Sequence, residues 1–257
     1  MTDDQAVFIY GRKPVIDFLN LSPDKVDKLY IRDSVRGDQV KELERLASGS
    51  KIPLVRVPGR KLQDLVGAVN DQGIVAQISA VTYLELEDWL DQADVTENPF
   101  VVILDEIEDP HNVGAIIRTA VAAGASAVIL PKHRQSPVNA TVFKTSAGTA
   151  NRIPIIRIVN TNQCIMKLKD HGFWTGALEM GGKNSIWQQK YDMPFALVIG
   201  GEGKGVRQKT LERCDFTISI PMANGVESLN ASVSASLVLY EIVRSRQLSK
   251  KQAGYNS

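Results

Sequence analysis

The stretch "FVVILDEIEDPHNVGAIIRTAVAAGASAVIL", residues 100–130, contains two apolar runs separated by a segment with helical spacing. The runs 100–105 and 127–130 are almost continuously apolar, which is typical of strands that are buried on both faces of a parallel sheet. Between them, small and aliphatic residues recur at helical intervals, and Gly124 is placed to end the helix. A strand, a helix and a second strand in this order predict a βαβ unit with parallel strands.

The same alternation continues to the C-terminal part of the chain. We therefore predict an α/β fold over residues 99–257, with a mostly parallel sheet and helices on both sides. The further strands are predicted at 153–158, 174–178, 195–200 and 216–220, and the further helices at 136–148, 160–172, 205–214 and 229–246.

Residues 1–80 form a separate, smaller α/β unit in this interpretation. Strands are predicted at 28–32, 53–57 and 73–78, and helices at 12–19, 38–47 and 60–66. Residues 81–98 carry six acidic residues and no basic one. Charge of a single sign keeps a segment solvated, so this stretch is predicted to be an acidic linker with one helical turn around "LEDWLDQA".

Cysteine and histidine content limits the possible chemistry. Two cysteines, Cys164 and Cys214, cannot build a disulfide framework or a thiolate metal site. His111, His133 and His171 are scattered without metal-ligand spacing, so no metal is expected. No apolar run approaches the roughly 20 residues of a membrane span, and the N-terminal sequence does not read as a secretory signal. We expect a cytoplasmic protein without a membrane partner.

Charge is distributed unevenly along the chain. Residues 99–257 carry 18 basic and 12 acidic side chains, whereas residues 1–80 carry 12 basic and 11 acidic ones. A mildly basic C-terminal part permits a nucleic-acid partner, but an ordinary solvated surface explains the charge equally well.

Two local patterns suggest a binding site. The loop "GGEGKGV", residues 200–206, follows a predicted strand and opens a helix, so its backbone N–H groups could face an anion or a polar ligand, although a plain tight turn is the alternative. It does not have the P-loop pattern, because Lys204 is followed by glycine. On the predicted helix after residue 105, Asp109 and Asn112 are candidate turn and cap residues. Arg118, on an apolar background, either extends to solvent or recognises a phosphate or carboxylate.

Three segments together resemble the three motifs of the SpoU family, also called the TrmH family, of RNA ribose 2'-O-methyltransferases. They are "DEIEDPHNVGAIIRTAVAAGA" (105–125), "LVIGGEGKGV" (197–206) and "ISIPMANGVESLNASVSASLVLYE" (218–241). In the N-terminal part, "IYGRKPVIDFL" (9–19) and "NDQGIVAQ" (70–77) resemble the small ribosomal-protein-like RNA-binding domain of the branch that methylates a guanosine of 23S rRNA.

The resemblance implies a C-terminal trefoil knot, S-adenosylmethionine as cofactor, and a homodimer with the active site near the subunit interface. It also implies roles for individual residues. The catalytic candidates are Asn112, Arg118, Glu202, Ser228 and Asn230. The cofactor-binding candidates are Gly200, Gly201, Glu202, Gly205, Ile220, Met222 and Leu229. The RNA-binding candidates are Arg12, Lys13, Arg32 and Arg118.

In this family, the arginine of the first motif is proposed to activate the ribose hydroxyl, and the matching residue here is Arg118. Removing a proton from a guanidinium at pH 7 costs on the order of 7–9 kcal/mol. We therefore expect Arg118 to stay charged, to grip a substrate phosphate and to stabilise the developing 2'-oxyanion, with phosphate or water taking the proton.

The sequence leaves several functions open. The expected substrate is 23S rRNA or its precursor particle. The alternatives are a tRNA ribose methyltransferase, an enzyme acting on an rRNA adenosine, or a non-catalytic RNA-binding or ribosome-assembly protein of the same fold. A nucleotide-binding protein is a further alternative.

Overall fold

The computed structural model describes residues 7–79 and 81–255, apart from the side chains of residues 39, 250 and 252–255. The chain divides into two compact units, one formed by Met1–Val81 with Val138–Asn151 and the other by Thr82–Pro137 with Arg152–Ser257. In chain order the elements are β1 (Val7–Tyr10), α1 (Arg12–Leu21), β2 (Val26–Arg32), α2 (Asp38–Gly49), β3 (Leu54–Val57), α3 (Gly59–Val66), β4 (Ile74–Ile78), β5 (Tyr83–Leu84), α4 (Leu86–Leu90), β6 (Phe100–Asp105), α5 (Pro110–Ala122), β7 (Ala127–Pro131), α6 (Ala140–Thr145), β8 (Ile155–Ile158), α7 (Thr161–Asp170), β9 (Trp174–Leu178), β10 (Asn184–Ser185), β11 (Phe195–Gly200), α8 (Gln208–Leu211), β12 (Phe216–Ser219) and α9 (Ala231–Tyr255).

The first unit contains a four-stranded sheet in the order β1-β4-β2-β3. β4 pairs antiparallel with β1 and β2, while β2 and β3 run parallel. Alternate residues of β2, such as Leu29 and Ile31, are fully buried, and α1 contributes Val15 and Phe18 to the core. The strands predicted at 28–32, 53–57 and 73–78 are confirmed as β2, β3 and β4.

The segment 138–151 belongs to this first unit, although the sequence placed it in the C-terminal domain. The reason is aromatic packing, since Phe143 of α6 meets Phe18 of α1 edge to face with ring centroids 5.8 Å apart. Lys144 lies over the ring of Tyr10, 5.7 Å from its centroid. These contacts attach the predicted helix to the first unit, although in the sequence it lies between two strands of the second unit.

The second unit contains an eight-stranded sheet in the order β10-β12-β9-β11-β6-β7-β8-β5, and all its neighbouring strands are parallel. Every residue of β6 and β7 is buried, as the continuous apolar runs predicted. The α/β fold with a mostly parallel sheet is therefore confirmed. No helix among residues 7–79 and 81–255 is long and apolar enough to cross a membrane.

The acidic stretch 81–98 is not a linker. Tyr83 and Leu84 form β5, which pairs with β8 at the edge of the sheet. Leu86, Trp89 and Leu90 of α4 are buried in the core of the second unit. All six acidic side chains point to solvent, so the stretch is amphipathic and the charge had masked its apolar spacing.

Several helix boundaries also differ from the prediction. α5 begins at Pro110 and is capped by Asp109, whose side chain accepts a hydrogen bond from the backbone N–H of His111. Asn112 is therefore not a cap. α6 is capped by Asn139 rather than Ser136 and is shorter than predicted. The prediction of Asn160 as the start of α7 is confirmed.

Strands β6 and β11 are adjacent, and the order of the sheet reverses between them. The chain moves outward from β6 through β7 to β8 on one side, whereas β9 and β12 lie on the other side of β11. In open α/β sheets, ligands bind beyond the carboxyl ends of the strands at such a switch point.

Candidate active site

The carboxyl ends of β6 and β11 are tied together by an ion pair. The fully buried carboxylate of Asp105 accepts hydrogen bonds from the Nη2 of Arg207 at 2.6 Å and from its Nε at 3.1 Å. Arg207 also donates to Glu106 and to Thr161, the first residue of α7. The side-chain hydrogen bond to Asp105 raises the pKa of Arg207 above its usual range. One guanidinium therefore fixes the end of the glycine-rich loop to β6 and α7.

Three predicted catalytic residues meet in one hydrogen-bonded cluster. The side-chain amide of Asn112 on α5 donates to Glu202 Oε1 at 2.8 Å. The amide of Asn230 donates both to the same oxygen of Glu202 and, at 2.9 Å, to Asn112 Oδ1. In the sequence, Glu202 lies 90 positions and Asn230 lies 118 positions after Asn112. The fold thus joins the three sequence motifs through one carboxylate.

Asn230 also caps α9. Its Oδ1 accepts hydrogen bonds from the backbone N–H groups of Ser232 at 2.9 Å and Val233 at 3.3 Å. The side-chain oxygen of Asn230 therefore caps the helix, while its side-chain nitrogen donates hydrogen bonds to Glu202 and Asn112. Moving the start of α9 would displace the cluster as well.

The small residues at the start of α9 allow it to approach α5 closely. Ala231 and Ala235 are buried, and the hydroxyl groups of Thr119 on α5 and Ser236 on α9 are 3.2 Å apart. Larger side chains at these positions would overpack the contact between the two helices.

The glycine-rich loop is packed backbone against backbone. A Cβ built on Gly200 would lie 2.0 Å from the carbonyl carbon of Gly205, and one on Gly201 would lie 2.6 Å from the carbonyl oxygen of Glu106. Gly205 has φ +61° and donates its N–H to the carbonyl of Gly201 at 3.0 Å. Residues with side chains could not form this turn, so the glycines are required by close approach and not only by flexibility.

All seven predicted cofactor-binding residues line one cavity of about 610 Å³ in the second unit. This volume is within the about 300–1,000 Å³ that is usual for small-molecule sites. Gly200, Gly201 and Gly205 expose backbone groups to it, and Ile220, Met222 and Leu229 form an apolar wall. An apolar wall beside a glycine-lined backbone cradle fits a nucleoside with a flexible polar tail, which is the chemistry of S-adenosylmethionine.

Sequence reasoning missed one side of this cavity. Leu178, at the end of β9, and the following Glu179 and Met180 also line it. Burial raises the pKa of Glu179. These residues lie outside the three motifs, and only their position after a strand that neighbours β11 could have indicated them.

The remaining two catalytic candidates are placed differently. Ser228 lines the cavity but is exposed, and the hydrogen bonds to Glu202 come from the two asparagines instead. Arg118 is exposed on α5 and does not line the cavity. The hydrogen bonds of Asn112 and Asn230 orient Glu202 and not Arg118.

The predicted RNA-binding cations of the first unit have unequal surroundings. Arg32 forms an ion pair of 2.8 Å with the buried Asp71, so part of its guanidinium has a structural role. The side chain of Lys13 is exposed and lies 3.7 Å from Asp17. The Nε of Arg12 is buried and has no hydrogen-bond partner among the residues that the structure describes.

The part of the chain that the structure describes contains no cluster of His, Cys, Asp or Glu able to hold a metal ion. Both cysteines are free, and burial raises the pKa of Cys164 and of Cys214 to about 12. At neutral pH these thiols are protonated and therefore weak nucleophiles.

Solved structures share this fold. The SpoU methyltransferase AviRb of Streptomyces viridochromogenes, in complex with S-adenosylmethionine, superposes with a TM-score of 0.73 at 24% identity, covering 93% of this chain and 90% of AviRb. An S-adenosylmethionine-bound rRNA methyltransferase from Sinorhizobium meliloti superposes with a TM-score of 0.73 at 26% identity, covering 93% and 87% of the two chains. The fold is therefore shared with S-adenosylmethionine-bound methyltransferases.

Sequence comparison gives the family. Residues 99–240 match the SpoU rRNA methylase family, and residues 8–84 match the RNA 2'-O ribose methyltransferase substrate-binding domain. A Bacillus subtilis protein assigned to the TrmH family of tRNA/rRNA methyltransferases, YacO, is 40% identical over 243 residues, covering 94% of this chain and 97% of its own. A Staphylococcus haemolyticus protein of the same assignment is 38% identical with the same coverage. The chain belongs to the SpoU family and is an S-adenosylmethionine-dependent RNA methyltransferase.

Proposed function

We propose that the protein transfers a methyl group from S-adenosylmethionine to the ribose 2'-OH of a guanosine in 23S rRNA, either free or in a precursor particle. The observation that carries this proposal is the hydrogen-bonded cluster of Asn112, Glu202 and Asn230, of which Glu202 and Asn230 line the cavity. The match of residues 8–84 to a 2'-O ribose methyltransferase substrate-binding domain supports the ribose as acceptor.

The cofactor is proposed to occupy the cavity of about 610 Å³. When bound, it supplies a sulfonium-activated methyl group, so the protein has to align the ribose hydroxyl and stabilise its developing charge. Asn112 and Asn230 hold Glu202, whose carboxylate orients the acceptor nucleotide. Ser228, exposed on the same cavity, donates a hydrogen bond to the RNA.

Arg118 is proposed to stay charged, to bind a substrate phosphate and to stabilise the 2'-oxyanion. On this hypothesis Arg118→Lys keeps measurable activity, reduced because the planar fork of the guanidinium is lost. A pH–rate profile that moved with the pKa of the substituted side chain would instead support a role as base.

A trefoil knot is part of the proposal. Two features support it: the glycine-rich loop has no space for a Cβ at Gly200, and α9 begins with small residues where it meets α5. A chain end that passes through a loop needs such close backbone approach, because bulky side chains would not fit the crossing.

A homodimer is also proposed. Trp187, Val233, Leu237 and Tyr240 are exposed apolar residues that line one surface depression beside α9. Exposed apolar patches of this kind are typical of protein interfaces. Because Arg118 lies outside the cofactor cavity of its own chain, we propose that it acts at the cavity of the partner subunit.

Subunit mixing tests this arrangement. Arg118→Ala and Asn230→Ala should each be inactive alone, and dissociating and reassociating their mixture should restore part of the activity. A mixture that stays inactive although mixed dimers form would contradict a shared site. Light scattering of Leu237→Asp should report a monomer if α9 forms the interface, because a buried charge is costly.

The small unit is proposed to select the RNA, with Arg12, Lys13 and Arg32 contacting phosphates.

The location that we propose is the cytoplasm, where the free thiols of Cys164 and Cys214 would remain reduced. A tRNA substrate remains the second candidate, since the relatives are assigned to tRNA/rRNA methyltransferases.

The deciding experiment incubates the protein with labelled S-adenosylmethionine and unmodified 23S rRNA, 16S rRNA or tRNA, followed by digestion to nucleosides. Label in 2'-O-methylguanosine from 23S rRNA alone supports the proposal. Label in tRNA, or in another nucleoside, keeps the chemistry and refutes the proposed substrate. Methylation seen only with precursor particles would identify the particle as the substrate, and no methylation of any of them would favour an assembly protein that binds RNA without modifying it.

A further inference from the structure

The carboxylate of Glu179 has no partner within the part of the chain that the structure describes. Glu179 follows β9, and its backbone is fixed, because its N–H donates to the carbonyl of Ile218 at 2.9 Å and its carbonyl accepts from Gly182 at 3.2 Å. Its side chain is directed toward the glycine-rich loop: Oε2 lies 3.4 Å from the position that a Cβ on Gly205 would occupy. The carboxylate therefore lies beside the glycine-rich loop at the wall of the cavity.

This position is unfavourable for folding. Glu179 is half-buried, and the desolvation raises its pKa. Partial removal of a charged carboxylate from water costs free energy. The carboxylate of Glu179 lines the cavity, so a cation bound there would offset this cost.

The charge of the cavity indicates which ligand that is. Three carboxylates line it, from Glu179, Glu202 and Glu227, against one ammonium group from Lys204. S-adenosylmethionine carries a sulfonium, an ammonium and a carboxylate, and is therefore a net cation. The product, S-adenosylhomocysteine, has lost the sulfonium charge and is neutral overall. An acidic cavity binds the first more tightly than the second.

We propose that Glu179 is a cofactor-binding residue whose carboxylate attracts the sulfonium of S-adenosylmethionine and makes the cavity prefer the cationic cofactor over the neutral product. This inference rests on the proposed placement of the cofactor in this cavity. Glu179, which lies outside the three motifs, would thereby have a role in product release. A lower affinity for S-adenosylhomocysteine lets the product leave before the next turnover.

The test is isothermal titration of Glu179→Gln with S-adenosylmethionine and with S-adenosylhomocysteine, in the absence of RNA. The substitution keeps the shape and removes the charge. Affinity for S-adenosylmethionine should fall about tenfold because the attraction between the carboxylate and the sulfonium is lost, and affinity for S-adenosylhomocysteine, which has no sulfonium, should change much less. Sinefungin, which carries an amine in place of the methylated sulfonium, should behave like the cofactor.

Glu227→Gln is the matched control. Glu227 lines the same cavity but is exposed, so water screens its charge and its substitution should change both affinities little. Equal losses for both ligands in Glu179→Gln, no loss at all, or the same selective loss in Glu227→Gln would overturn the inference.

A second variant separates this inference from the placement of the cofactor. Leu229→Trp should fill the cavity and abolish binding of all three ligands, with the fold checked by circular dichroism. If Leu229→Trp binds normally, the cofactor lies elsewhere and the role of Glu179 fails with it. If Leu229→Trp blocks binding while Glu179→Gln is unchanged, only the role of Glu179 is refuted.

Discussion

Replacing Arg207 by methionine tests whether one ion pair holds the cofactor loop in place. Methionine keeps the length and apolar surface of the side chain but removes its five donors. Asp105, which is fully buried, then loses both side-chain hydrogen bonds from the guanidinium and keeps two weaker ones, from Thr161 and from the backbone N–H of residue 207, each at 3.2 Å.

The expected magnitude follows from this geometry. Breaking a buried ion pair from one side costs about 3–5 kcal/mol, because the remaining charge is left uncompensated. The side chain of Arg207 is 44% exposed, so water partly screens the pair, and we expect the lower end, about 3 kcal/mol. For a domain of this size that corresponds to a drop in melting temperature of about 6–12 °C. Because the same residue ends the glycine-rich loop, affinity for S-adenosylmethionine should fall as well.

The assay is urea and thermal unfolding of Arg207→Met, Asp105→Asn and the double variant, with cofactor affinity measured in parallel. The double variant should lose less than the sum of the two single losses, because no unpaired charge remains. Arg213→Met is the control, since Arg213 is exposed and should cost within about 0.5 kcal/mol. A loss below about 1 kcal/mol for Arg207→Met, or strict additivity in the cycle, would refute the reasoning.

Three further outcomes are expected. Gly200→Ala should cost more than about 3 kcal/mol and abolish titratable cofactor binding, because its Cβ would lie 2.0 Å from the carbonyl carbon of Gly205; normal binding would contradict the packing. Although burial opposes it, hydrogen bonds lower the pKa of Asp215 below 3.8, so its contribution is present above pH 3.8 and is lost as the pH falls through the lower folded value. Asp215→Asn should therefore lower the free energy of unfolding at pH 7 by about 1–2 kcal/mol, which a lower melting temperature would report. The difference between the two proteins should vanish at a pH below the folded-state pKa of Asp215. Cys164 and Cys214, with pKa values raised to about 12, should react with a thiol reagent at pH 8 only after urea unfolding; rapid reaction of the native protein would show that they are accessible thiolates.

The sequence predicted the elements of the sheet well, because strands buried on both faces leave continuous apolar runs. It predicted the helical turn of α4 but wrongly assigned residues 81–98 to a linker, because their acidic side chains suggested a solvated segment although Leu86, Trp89 and Leu90 are buried in the core. It also predicted α6 as a helix but assigned it to the wrong unit, because the packing partner of Phe143, Phe18, is more than a hundred residues away in the chain. Local periodicity cannot report which distant surface a short helix covers.

The candidate site was predicted in its residues but not in its geometry. Asn112 has a side chain that is typical of a helix cap, but the helix begins two residues earlier, at Pro110, and Asp109 is its cap. The asparagine is thereby free to bind Glu202. Glu179 lies in no motif, and only the order of the strands brings it beside the glycine-rich loop.

The outermost strands of the eight-stranded sheet, β5 and β10, contain two residues each. A parallel sheet whose central strands are this apolar would offer a template for another chain if its borders were long and straight. Because the strands at both edges of the sheet are so short, they offer few unpaired backbone groups to a strand of a second molecule. The sheet is therefore protected against edge-to-edge association into fibres.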